Sequence, residues 1–321
     1  MDRHDLLRAQ LPYTLSEVSF PALGAHYRGK VRDNFSSADR IVMITSDRLS
    51  AFDRILTTVP FKGELLNRLT AFWFEKTKHI VRNHILDMPD PSVLVVKKLR
   101  PLPIEVVVRG RLTGSLYRDV QAGKGARAYG LALDPAMKRD QAFEAPILTP
   151  STKEAVGSHD LPISPAELVA RGAVTHAHWA ELSEKALALF AEGQRWALER
   201  GLILVDTKYE FGVDADGSLW LIDEIHTPDS SRYWILEGSE ARFRAGEDQL
   251  GLDKEFVRQW LIRERNFRGD GPAPEIPDDV RVALADRYCQ LVELLTGESF
   301  IPVVGDTKLR IEGALRLRGL L

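Results

Sequence analysis

The sequence predicts an α+β fold, on three observations. Runs of strand length rich in β-branched residues occur in both halves, amphipathic helices are interspersed with them, and the tail has helical spacing. The first hundred residues or so read mainly as strands, among them 40–45 and 93–99, with a helix over 64–79 carrying Leu65, Leu69, Phe72 and Lys76. Pro101 and Pro103 supply no ladder donors, so 100–103 reads as a hinge before a buried strand over 104–110. Residues 123–164 are irregular and rich in Gly, Pro, Ser and Thr, as functional or disordered loops are. A helix follows over 176–199, with Trp179, Leu182, Ala186, Leu189 and Trp196 on one stripe and Gly201 as its cap. Two strands, 202–212 and 218–225, are joined at Asp216-Gly217. In the tail, Val280, Leu284, Tyr288, Leu291 and Leu295 share a helical face. The expected division is a β-rich domain over 1–100, an α+β domain over 101–240, and a helical segment over 241–321 packed on the second domain.

With 321 residues, 44% of them hydrophobic and 28% charged, the chain can bury a core without disulfides or structural metal. Basic residues number 43 against 46 acidic ones, and neither half carries a basic tail. Nucleic acid is therefore not the expected partner, although a local phosphate site is compatible with this balance. Cys289, the one cysteine, allows no intrachain disulfide and reads as a buried inert thiol in a reducing cytosol. No apolar run reaches the roughly 18 residues of a membrane span, and the first residues lack the apolar core of a signal peptide. The expectation is a cytoplasmic protein with no membrane partner.

The most informative stretch is 202–225. Asp-Gly between alternating apolar residues signals a two-residue hairpin, which pairs Ala215 with Ser218 and sets Glu210 opposite Asp223, on the face of Asp206 and Lys208. Only a one-residue slip would separate the two carboxylates. Like charges about 5 Å apart at an effective dielectric near 20 repel by roughly 3 kcal/mol. A divalent cation or a proton would relieve this, and so would Lys208 or an arginine; the hairpin alone leaves these open. Hard oxygen ligands beside a lysine suit Mg²⁺ bridging nucleotide phosphates. Downstream, Arg232 follows the turn-forming Pro228-Asp229-Ser230-Ser231 and can hold a phosphate bidentately or pair with Asp229.

Other candidates are weaker singly. Gly24 to Lys30 fits G-x-x-x-x-G-K, but Val31 lacks the hydroxyl that a P-loop supplies to Mg²⁺. Lys30 can still reach a phosphate from its glycine turn. Arg109-Gly110-Arg111-Leu112-Thr113-Gly114-Ser115 offers a charge and a hydroxyl beside close-approach glycines, or is a solvated turn. His176 and His178 do not share a helix face, so they are no metal pair. Lys153 lies in the irregular stretch as a lid residue or a solvated turn. No CxxC, HExxH or Ser-His-Asp order is legible, which leaves carboxylates, lysines and arginines, the residues of phosphoryl transfer.

In order along the chain, Gly29-Lys30-Val31-Arg32-Asp33, Ser46-Asp47-Arg48-Leu49-Ser50-Ala51-Phe52-Asp53, Glu105 to Gly110 with Gly114-Ser115, Thr149 to Lys153, Asp206 to Gly212, and Asp223-Glu224 with Thr227 to Arg232 resemble the SAICAR synthetase family. Phe35 stands where a tyrosine is expected, and the chain beyond about residue 240 adds little. The resemblance implies a SAICAR synthetase-like fold related to ATP-grasp enzymes and kinases, with a nucleotide-binding N-terminal domain and ATP held between it and the larger domain. It implies an ATP-dependent ligase of purine biosynthesis that joins L-aspartate to the carboxylate of carboxyaminoimidazole ribonucleotide (CAIR) through an acyl phosphate, releasing ADP and phosphate. By the same resemblance, Gly29, Lys30 and Arg32 meet ATP phosphates, Lys97 and Leu99 form the adenine-side hinge, and Glu210 and Asp223 bind Mg²⁺ with ATP. Arg109, Ser115 and Arg232 clasp the ribonucleotide phosphate, Glu105 faces the imidazole, and Lys208, Asp229 and Lys153 lie at the reacting groups. A small-molecule kinase with the same Mg-ATP site is the alternative activity, and a catalytically silent nucleotide sensor the non-enzymatic one. A protein kinase is disfavoured by the absence of HRD and DFG.

Overall fold

A computed structural model describes residues 2–123, 126–153 and 160–321. It divides into two units, one of Met1–Phe72, His84–Lys98 and Leu252–Leu321, the other of Trp73–Asn83 and Leu99–Gly251.

In the first unit, β1 (Ala25–Arg28), β2 (Arg32–Ser36), β3 (Arg40–Thr45), β6 (Ile85–Asp90) and β7 (Val93–Lys97) form an antiparallel sheet in the order β1-β2-β3-β7-β6, while β4 (Arg48–Ala51) pairs with β5 (Arg54–Thr58). Alternation along the strands builds two apolar faces. Phe35, Val42, Ile44, Val93 and Val95 pack with Ile311 and Leu315 of the helix Thr307–Leu317, and Met43, Leu94 and Val96 pack with Ile85 and Met88 on the other face. The expected packing of the C-terminal helices on the second domain is thereby corrected. Ile311 and Leu315 of the last helix complete the core of the N-terminal sheet, and residues 252–321 group with it. Leu284, Tyr288, Leu291 and Leu295 are fully buried along Asp278–Thr296. Cys289 is buried there too, and burial pushes its thiol pKa up, as suits an inert side chain. Phe35 is buried and stacked on His26, with ring centroids 4.5 Å apart, so the tyrosine's missing hydroxyl gives way to apolar packing.

In the second unit, β11 (Leu202–Val213) is the central strand of a six-stranded sheet. Its first half pairs with β9 (Ile104–Arg111) and β13 (Ser231–Ile235), its second half with β12 (Leu219–Ile222) and β8 (Arg100–Pro101). The expected hinge at 100–103 thus includes a two-residue edge ladder, and the boundary between units falls between Lys98 and Leu99. β10 (Ala142–Thr152) is an eleven-residue strand inside the stretch read as irregular. Pro146 and Pro150 concealed it, and they are tolerated because β10 forms the outer strand beside β9. The rest of that stretch includes residues 124–125 and 154–159, which lie outside the described residues. The helix His176–Leu198 covers the back of the sheet, where Gly193 permits close approach: a Cβ there would lie 2.4 Å from His226 Cε1.

The hairpin register differs from expectation by one residue. Asp214 N–H donates to Ser218 O (3.2 Å) and Gly217 N–H to Asp214 O (3.1 Å), with Gly217 in the left-handed region. The loop therefore spans three residues, 215–217, and Glu210 pairs with Ile222 rather than Asp223. The Asp214 carboxylate decides this by accepting from Asp216 N–H, Ser218 N–H and Trp220 Nε1–H, which makes Asp214 the last ladder residue.

Candidate active site

Residues two apart on β11 share a face, so Asp206, Lys208 and Glu210 form a polar row. Antiparallel pairing of Asp206 with Arg109 and of Lys208 with Val107 brings Arg109 and Glu105 of β9 to the same face. Thr149 of β10, opposite Val107, and Arg232 of β13, opposite Asp206, join them. Two charge clusters result.

The first contains Glu105, Lys153, Lys208, Glu210 and Asp223. Lys208 Nζ donates to Glu105 Oε1 (2.6 Å) and Glu210 Oε1 (2.7 Å), while Lys153 Nζ bonds Glu210 Oε2. Burial alone would raise the pKa of Glu210, but the ammonium groups of Lys208 and Lys153 overcome it and hold the carboxyl well below the usual range. Burial works against the charge on both lysines, yet Glu210 raises the pKa of each and Asp223 adds to it, so both stay protonated. The Glu105 pKa is raised, by burial first, then lowered in part by Lys208 and raised by Glu210.

Asp223 therefore acts on both lysines although the register denies it the position opposite Glu210. β12 ends at Ile222, and Asp223 takes φ 69°, which breaks the strand alternation that would have turned it to the other face. The repulsion expected between the two carboxylates is relieved in this structure by lysines.

Replacing Lys208 by Met leaves Glu105 and Glu210 buried together, with Lys153 still bonded to Glu210. One carboxyl then has a folded pKa above its unfolded value near 4.3, so the variant gains stability as pH falls toward 5. In the parent, the depressed Glu210 pKa contributes stability above about 4.3 that is lost as pH falls through the folded value. Chemical denaturation of parent and variant at pH 5 and 8 checks this: the variant is expected to gain stability at pH 5 relative to the parent, and the same pH dependence in both would mean that Lys208 does not govern the pair.

The second cluster is cationic. Arg109 donates from Nε to Thr149 Oγ1 (2.8 Å), from Nη1 to Asp206 Oδ2 (3.3 Å) and from Nη2 to Ser115 Oγ (3.2 Å). Arg232 Nη1 bonds the same Asp206 oxygen. Two guanidinium groups thus share one carboxylate, which leaves net positive charge at the first turn of the helix Gly114–Gln121. Thr113 gives that helix no side-chain cap, so its first N–H groups and its dipole favour an anion. Burial lowers the Arg109 pKa, Asp206 opposes that, and Arg232 lowers it further. Gly114 is required here: with φ 59°, it would place a Cβ 2.5 Å from Arg232 Nη2.

Asp229 follows an ST-type turn in which Thr227 Oγ1 donates to Glu224 Oε2 (2.6 Å) and accepts from Asp229 N–H (3.2 Å). Leu99 Cβ lies beside the Gly212 backbone. In the first unit, Gly29 N–H donates to Arg32 O (2.8 Å), Lys30 Nζ meets Asp53 Oδ1 (2.5 Å), Arg32 is buried, and Lys97 ends β7 opposite Arg40. Sequence reading assigned no role to Thr149, Asp206 or His226. The alternation around Lys208 was enough to flag Asp206, whereas Thr149 needed the hidden strand β10. His226 bonds Tyr209 Oη (2.6 Å) behind the polar row, and burial pushes its pKa down to about 3, so it is a neutral tether.

No three His, Cys, Asp or Glu side chains converge as a metal site among the described residues. Glu210 and Asp223 supply hard carboxylate oxygens, the donor type that commonly holds Mg²⁺ together with phosphate oxygens and water.

The model of the SAICAR synthetase family matches residues 25–273. A phosphoribosylaminoimidazole-succinocarboxamide synthase of Legionella pneumophila (strain Lens) is 47% identical over 294 residues, 91% of this chain and 93% of that protein. A chloroplastic synthase of Arabidopsis thaliana is 47% identical over 91% of this chain and 72% of its own length. The solved SAICAR synthase of Saccharomyces cerevisiae, complexed with SAICAR, superposes with a TM-score of 0.77 at 32% identity, covering 89% of this chain and 99% of the yeast one. On the family match, the relatives and the fold, the chain belongs to the SAICAR synthetase family and has its ATP-dependent ligase activity in de novo purine biosynthesis.

Proposed function

We propose that the two clusters divide the reaction between them. The arginine cluster of Arg109, Ser115 and Arg232 holds the phosphate of CAIR, and the lysine–carboxylate cluster receives its carboxylate. The supporting observation is their common face: Arg109 and Glu105 lie four residues apart on β9, about 13 Å along a strand, comparable with the length of a ribonucleotide. Glu105 then meets the imidazole substituents, and Gly29, Lys30 and Arg32 meet the phosphates of ATP, with Lys97 and Leu99 on its adenine side.

A carboxylate is a poor acyl donor because its leaving group is oxide. Transfer of the γ-phosphoryl group to a carboxylate oxygen of CAIR releases ADP and gives an acyl phosphate. The aspartate amine attacks the acyl carbon, loses a proton, and expels inorganic phosphate with the bridging oxygen. Lys153 and Lys208 keep their protons and stabilise the charge developing on the transferring phosphoryl and the acyl oxygen. Asp229 orients the substrate amine groups. Glu210 and Asp223 would hold Mg²⁺, which neutralises phosphate charge and aligns the terminal phosphoryl. Among the described residues no helix is long and apolar enough to cross a membrane, and the buried single thiol favours a cytoplasmic setting.

A coupled ADP-release assay with CAIR, aspartate and Mg-ATP, omitting one component at a time, tests the sequence of steps. Stoichiometric loss of aspartate with ATP is expected, and ADP release with CAIR alone, giving a stable phosphorylated product, would indicate kinase chemistry instead.

A further inference from the structure

We infer that Arg48 is a positioning residue whose buried guanidinium fixes the backbone of the 29–31 turn and so presents Lys30 to the nucleotide phosphates. The inference rests on the nucleotide reading of that turn. Arg48 opens β4 and is 1% exposed, an unusual position for an arginine unless its charge and donors are all met. Nη1 pairs with Asp33 Oδ2 (2.7 Å), and Asp33 Oδ1 in turn meets His26 Nε2 (2.9 Å). That pair accounts for the charge; it does not account for the rest of the fork.

The remaining donors go to main-chain carbonyls. Nε donates to Lys30 O (3.0 Å), Nη2 to Gly29 O (3.1 Å), and Nη1 also to Ser16 O. Ser46, two residues earlier, donates from its backbone N–H (2.9 Å) and Oγ (2.8 Å) to Val31 O. All three carbonyls of 29–31 are therefore held by the Ser46-Asp47-Arg48 segment. The amide N–H groups of Lys30 and Val31 have no hydrogen-bond partner among the described residues. A turn whose carbonyls are occupied and whose amides are not is suited to an anion. Only a planar guanidinium can span these acceptors, because an ammonium is a compact point charge.

Arg48→Lys separates positioning from simple neutralisation, since it keeps a cation for Asp33 and removes the fork. The expected result is a fall in kcat/KM for ATP of about tenfold or more, as for misplacement of a binding loop, with KM for CAIR changed by less than about twofold. In a Lys30→Ala background the same substitution is expected to cost less than about twofold further, because both act through one turn. If Lys30→Ala alone leaves KM for ATP unchanged, the nucleotide reading of the turn fails and this inference with it. If Lys30→Ala raises KM for ATP while Arg48→Lys does not, or Arg48→Lys affects ATP and CAIR equally, Arg48 is merely structural. Should Arg48→Lys not fold, Ser46→Ala removes one carbonyl contact and keeps the buried pair. A selective rise in KM for ATP then supports the inference, and an unselective or absent one overturns it.

Discussion

Asp223→Asn is expected to lower kcat by about 10²–10³, the usual effect of deleting one electrostatic contact to a transition state. The substitution is unusually clean here. Asp223 has φ 69°, a left-handed conformation that Asn adopts as readily as Asp, so no backbone strain is introduced. It is only partly buried, and the shape of the side chain is retained. What is lost is one negative charge acting on Lys153 and Lys208 and, under the proposed metal assignment, one hard ligand for Mg²⁺. Activity as a function of Mg²⁺ concentration should shift to higher concentration, while the thermal midpoint stays near that of the parent. Near-normal turnover in this variant would remove Asp223 from the metal assignment and leave Glu210 to act with the lysines alone.

Arg232→Ala is expected to weaken CAIR binding by ten- to about 150-fold, since a hydrogen bond to a charged group contributes about 1.5–3 kcal/mol. Binding of ATP should change little, because the proposed partner of the cluster is the ribonucleotide phosphate and not ATP. Arg109 still neutralises Asp206 in the variant, so the loss falls on the ligand and not on the fold. Gly114→Ala provides an internal comparison. A Cβ there meets the Arg232 guanidinium at 2.5–2.8 Å, so the arginine must move, and CAIR affinity should fall in the same direction. Calorimetric titration with each ligand separates the cases. Equal losses for CAIR and ATP, or none for CAIR, would show that the cluster is not the ribonucleotide phosphate site.

Much of the site was legible because it sits on one long strand. In β11 the two-residue period puts Asp206, Lys208 and Glu210 on one face whatever the rest of the chain does. The helix read over 176–199 and found at His176–Leu198 was equally plain, since its apolar stripe repeats with the helical period. β10 was hidden because proline is a strand breaker by propensity, and only its outer place beside β9 removes the penalty. The pairing of Glu210 with Asp223 was misread because Asp-Gly signals a two-residue turn, whereas Asp214 closes a three-residue one with its side chain.

The sequence by itself determined the family and the ligase chemistry and nominated the residues proposed to bear it, because ordered motifs and strand periodicity are local properties. Tertiary structure decided how the charges are balanced: Lys153, just past β10, and Lys208 on β11 neutralise Glu210, Asp206 is shared by two arginines, and the helix Thr307–Leu317 closes the core of the N-terminal sheet. Those outcomes depend on contacts between residues far apart in the chain, and on a single left-handed backbone angle at Asp223, neither of which local periodicity encodes.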